Sequence, residues 1–166
     1  MSVRALTELL RGTGAHADPI ACVEDISAES AGRQVAGFPH STAQLVFHIN
    51  YWMEYELRRI RGQRPEYPEH SAESFPASPS VDVAEWDRLR ARMAELLGEF
   101  AALAQSSRAE LDRHIETVHE GDTKVAGTLE AVLWQMVAHN SYHLGQIVMI
   151  RRVMGAWPPR GGGDSW

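Results

Sequence analysis

Leu133-Trp134-Gln135-Met136-Val137-Ala138-His139-Asn140-Ser141-Tyr142-His143-Leu144-Gly145-Gln146-Ile147-Val148 is the most strongly helical stretch of the chain, and it carries two histidines on its apolar stripe. At about 3.6 residues per turn, positions four apart differ by roughly 40° around the axis. His139 and His143 therefore share a face with Val132, Met136, Ile147 and Ile150. Imidazoles aimed at a core need partners, so the pair reads either as half of a metal chelate or as two hydrogen-bonded core histidines.

Working outward, Thr128 is placed to cap this helix, which runs to about Met154 before Gly155, Pro158 and Pro159. From about 155 the chain is an irregular tail ending in Trp166, expected to fold back over the helices or a partner. Upstream, Val3 to Arg11 forms a first helix interrupted by Gly12-Thr13-Gly14, and Asp18-Pro19 opens a shorter piece with Ile20, Val23 and Ile26. Ser41 and Gln44 stand in capping-box spacing at the start of a second helix that ends near Arg61-Gly62. Pro65, Pro68, Pro76 and Pro79 forbid helix between Gly62 and about Val81, which predicts a long connection lying across something. A third helix opens near Asp82 with Glu85 and shows Trp86, Leu89, Met93, Leu96, Leu97, Phe100 and Leu103 at helical spacing. The stretch from Ser106 to Gly127 has room for a short turn around Leu111. Four helices with apolar stripes and almost no period-two alternation predict an all-α bundle, one domain over residues 1–166.

Composition narrows the function classes. Cys22 is the only cysteine, which excludes a disulfide framework and a thiolate zinc site and suits a reducing, cytoplasmic setting. A net charge of −6 with dispersed basic residues argues against nucleic acid as a partner. No apolar run approaches the length of a membrane span.

A third histidine extends the pair. His48 lies beside Leu45, Ile49 and Trp52 on the shoulder of the second helix's apolar face, where it can point inward. One histidine from one helix and a pair from its neighbour converge readily in a bundle. Hydrogen-bonded core histidines remain the alternative, with Tyr142 or Gln146 as partners, but one ion that satisfies three desolvated imidazoles is more economical. Three ligands with an open position are the catalytic arrangement, whereas structural zinc sites close with four.

Pro39-His40-Ser41 through His48-Ile49-Asn50-Tyr51-Trp52, followed by Ala138-His139-Asn140-Ser141-Tyr142-His143-Leu144-Gly145-Gln146, resembles the DinB-like family of metal-binding four-helix bundles. The resemblance spans nearly the whole chain. It implies an up-down-down-up bundle with a long connection between helices two and three, and frequently a homodimer. It also implies a divalent metal on His48, His139 and His143. Characterised members include S-transferases and isomerases that use bacillithiol or mycothiol, which implies a low-molecular-weight thiol as co-substrate and a small molecule as its partner. Zinc, nickel and iron all suit three imidazoles.

Competing chemistries are weaker. Asn140 stands where a His-Glu-x-x-His protease has its glutamate, and the helix lacks the Glu-x-x-His pattern of di-iron carboxylate sites. A metal-dependent hydrolase would need a carboxylate such as Glu54 near the ion, and a non-catalytic module would use the histidines to bind a metal or small molecule, or for structure in a dimer. His16 and His40, at predicted helix starts, could reach the mouth of the site, while His70, His114 and His119 are expected in solvent. Arg58, Arg59, Arg61 and Arg64 form a possible anchor for an acidic thiol, although the helix dipole also favours cations there. Tyr51, Trp52, Tyr55 and Trp134 are candidate pocket walls, and Tyr142 and Gln146 candidate partners for an imidazole.

Overall fold

The computed structural model describes residues 3–116 and 127–162. The chain is helical: α1 (Val3–Leu10), α2 (Ala21–Glu24), α3 (Ala28–Ala31), α4 (Thr42–Ile60), a 3-10 turn at Ser71–Ser74, α5 (Val83–Ala104), α6 (Arg108–Leu111) and α7 (Leu129–Val153). The only pairing of extended backbone among the described residues is an isolated bridge between His114 and Thr128.

Helix boundaries follow the local chemistry. Ser41 accepts from the Gln44 N–H while the Gln44 side chain accepts from the Ser41 N–H, so the predicted capping box is formed. Asp82 and Thr128 cap α5 and α7 with a single side-chain bond each, accepting from the Glu85 and Ala131 N–H. Past Met154 the backbone needs a left-handed residue, and Gly155 supplies it at φ 68°.

The expectation of four long helices is met by three. α4, α5 and α7 have 19, 22 and 25 residues, whereas α1 has 8. Gly12 and Gly14 adopt positive φ immediately after it, and the following segment is divided again by Asp25-Ile26-Ser27, with Ser27 capping α3. α1 nevertheless completes the packing, since it touches α5 and α7, and both of these touch α4. One apolar cluster runs through all of these contacts, from Leu6 and Leu10 through Ile49 and Met53 to Phe100, Leu133 and Ile147. Trp86 is buried there and its indole N–H donates to the Ile26 carbonyl at 2.8 Å, tying α5 to the α2–α3 segment.

The proline-bearing connection lies over the start of α4. Ser41 Oγ donates to the Pro79 carbonyl at 2.9 Å and Gln44 Nε2 to the Pro76 carbonyl at 2.7 Å, so the capping residues of α4 also anchor the chain passing above it. His119 and Trp166 lie outside the described residues. The start of the tail is fastened down, with the Arg160 N–H donating to Asp25 Oδ2 at 2.7 Å. None of the described helices is long and apolar enough to cross a membrane.

Candidate metal site

α4 and α7 pack side by side, and their contact brings His48 against His139 and His143. One potential ligand atom from each of the three lies within 4.8 Å of the others. His48 Nε2 and His139 Nε2 are 3.2 Å apart. Two nitrogens that each lie about 2.1 Å from a common ion would be separated by close to that distance.

The tautomers explain why the separation matters. Ser74 Oγ donates to the Ser71 carbonyl at 2.6 Å, so its hydrogen is committed and it must accept from His48 Nδ1, 2.9 Å away. His48 Nε2 is then the bare nitrogen. His139 Nδ1 faces Asn140 Oδ1 and His143 Nδ1 faces Gln146 Oε1, each at 3.2 Å, which leaves their Nε2 atoms bare as well. Bare lone pairs crowded in a buried site repel one another, and a shared cation removes the conflict. The donor set therefore fits a divalent metal.

Desolvation keeps the rings neutral, which is the ligating form. Burial, reinforced by the two neighbouring imidazoles, pushes the His48 pKa down to about 3. His139 falls to about 4 from burial and the nearby His143, and His143 is lowered by burial with a smaller contribution from His40. Phe75 provides much of the cover: its ring lies flat on His48 at 4.0 Å, with His40 stacked at 3.8 Å. The connection predicted to lie across something covers this site.

The sequence model of the DinB superfamily matches residues 14–147, most of the chain and all three histidines. The chain belongs to the DinB superfamily. No curated protein and no solved structure matches it.

Of the other residues singled out in this DinB chain, Gln146 does orient an imidazole, and Tyr142 lies edge-on to His143 with its own ring exposed. His40 reaches the site through Phe75 and is not among the clustered ligand atoms. His16 lies on a different face of α7, 2.9 Å from Ser141 Oγ. Glu54 accepts from Arg92 Nε at 2.6 Å and belongs to the α4–α5 seam. The arginines do not form one anchor: Arg59 is buried against Glu56, Arg61 pairs with Glu99, Arg64 with Glu116, and Arg58 bonds Gln63. Ser74 and Phe75 had no signal in the sequence, because a residue of an irregular connection shows its partner only once the chain is folded. Ser74→Ala is expected to weaken metal binding by about 10- to 100-fold, the usual effect of removing an outer hydrogen-bond partner, with the fold intact. Competition with a chelating indicator measures it.

Proposed function

We propose that this chain is a metal-dependent enzyme that activates a low-molecular-weight thiol and transfers it to an electrophilic small molecule. One observation carries the reading: three imidazoles each bring a potential ligand nitrogen within 4.8 Å of the other two, and no fourth histidine, cysteine or carboxylate joins them among the described residues. Such a set leaves coordination positions for a substrate atom. A divalent ion held there would favour thiolate over thiol near neutral pH.

The protein's own residues support that role without supplying the sulfur. Cys22 is fully buried and burial pushes its thiol pKa up to about 12, so it offers no thiolate. Ser74, Asn140 and Gln146 hold the imidazoles in the ligating tautomer. Phe75 shields His48 from water, and Trp52, edge-on to His48 at 6.3 Å, continues into Tyr51 and Tyr67 as an aromatic surface for the organic part of a substrate. Glu54, one carboxylate that a hydrolase could use, is engaged by Arg92 instead.

In the transfer, the thiol's S–H proton passes to solvent, a new S–C bond forms and the leaving group departs with its bonding pair. The test is conjugation of 1-chloro-2,4-dinitrobenzene by bacillithiol, mycothiol and glutathione, with zinc-, nickel- or iron-loaded protein. Chloride release faster than the uncatalysed reaction by about 100-fold or more with at least one thiol, absent in His143→Ala, is the expected result. Metal-loaded protein that accelerates none of these reactions would sink the proposal.

A further inference from the structure

A cavity of about 230 Å³ opens on a different face of α7 from the histidine cluster. Ser141, Gly145, Val148 and Arg152 line it at spacings of four, three and four residues. Ser141 is two residues from both His139 and His143, roughly 200° around the helix, so one helix serves two sites without sharing side chains. We propose that this cavity binds a small monocarboxylate with an apolar body.

The lining fits that chemistry. Leu144, Val148 and Trp157 give it apolar walls, and His16 forms a rigid side, held between the Ala17 carbonyl at 2.8 Å and Ser141 Oγ at 2.9 Å. The one arginine or lysine on the lining is Arg152. Its neighbour Arg151 is buried and bonded to Asp25, whereas Arg152 lies over the Trp157 ring at 5.8 Å and has no carboxylate partner among the described residues. A guanidinium without a counter-ion at the edge of an apolar hollow calls for an anion, and its planar fork matches a carboxylate.

Gly145 adds an independent sign. Glycine is a poor residue in a helix interior, and packing does not require it here, since a Cβ at that position would meet nothing within 4 Å. The space in front of it is open, and a side chain there would fill the hollow instead of straining the fold. The volume is below the roughly 300 Å³ at which drug-sized sites begin, which limits the ligand to a small organic acid.

Benzoate is the probe, titrated into uniformly ¹⁵N-labelled protein while the Gly145 amide and the Trp157 indole are followed. Saturable shifts at both, with a Kd on the order of 1 mM or tighter, are expected. Benzyl alcohol, which keeps the ring and lacks the charge, should bind about tenfold more weakly, as should benzoate to Arg152→Gln. Gly145→Leu should abolish binding while melting temperature stays at or above the wild-type level and metal content is unchanged. Benzoate should bind equally well after chelator treatment, which separates this site from the metal. Absence of saturable shifts at Gly145 and Trp157 up to the solubility limit overturns the proposal, as does equal binding of benzyl alcohol. Shifts confined to the residues around His48 and lost with the chelator would instead show a carboxylate on the metal, and would also overturn it.

Discussion

Purified His48→Ala and His143→Ala proteins are expected to contain almost no metal under conditions where the wild type carries close to one equivalent. Each variant deletes one of three convergent imidazole donors, so the loss in affinity should exceed the about 10- to 100-fold set for an outer partner such as Ser74. Elemental analysis of untagged protein prepared without chelator measures it, and far-UV circular dichroism confirms that the variants are folded. Wild-type protein that remains metal-free after reconstitution with zinc, nickel and iron would remove the basis of the proposed chemistry.

The pH dependence follows from the same geometry. Protons compete with a metal for Nε2, and here they compete poorly, because burial holds His48 near 3 and His139 near 4. Metal should therefore stay bound through the range below about 6.5 in which ordinary histidines protonate. In chelator-stripped protein the same shifts act on stability. The unfolded chain takes up protons at these histidines below about 6.5 while the folded chain does not, so stability is fully present above that pH and falls as pH drops toward 4. Urea midpoints of stripped protein at pH 7 and pH 5 should show the decrease.

Arg151→Met is expected to be the most damaging single change away from the site. The guanidinium is buried and donates to the Cys22 carbonyl at 2.7 Å, to Asp25 Oδ1 at 2.6 Å and to the Ala156 carbonyl at 2.7 and 3.0 Å, with Trp157 stacked beside it. One side chain thus joins α2, the end of α7 and the start of the tail. Methionine preserves much of the apolar stem and removes the donor to Asp25 Oδ1 and to two carbonyls, leaving Asp25 with the Arg160 N–H. Breaking a buried pair in this way costs about 3 kcal/mol or more, discounted here to the low end because Asp25 is partly exposed. For a chain of this size that lowers the melting temperature by roughly 6–12 °C. Calorimetry checks it against Arg152→Gln, an exposed neighbour expected to leave the melting temperature within about 2 °C. A drop below about 3 °C for Arg151→Met would show that the network is dispensable.

Residues that act through near neighbours were legible in advance. The caps at Ser41, Asp82 and Thr128, the helix stops at Gly62 and Gly155 and the shared face of His139 and His143 depend on contacts within one helical turn, which spacing alone displays. The first helix was less legible in extent, because the apolar spacing of residues 3–31 does not show where packing ends one short helix and begins the next. His48 lay between the two kinds: its place on the shoulder of a helix allowed an inward position, and the α4–α7 contact made it one.

The sequence by itself determined an all-helical chain, its main boundaries and a pair of imidazoles on one face, because the backbone period and the side-chain chemistry of caps are local. Only the tertiary structure decided that Ser74 sets the tautomer of His48 across 26 residues, that Phe75 covers the site, that Arg59 is buried with a partner instead of lying on a basic surface, and that Arg151 is buried against Asp25. Those outcomes depend on where an irregular connection and two chain ends come to rest, and that position is set by the packing of all the helices together.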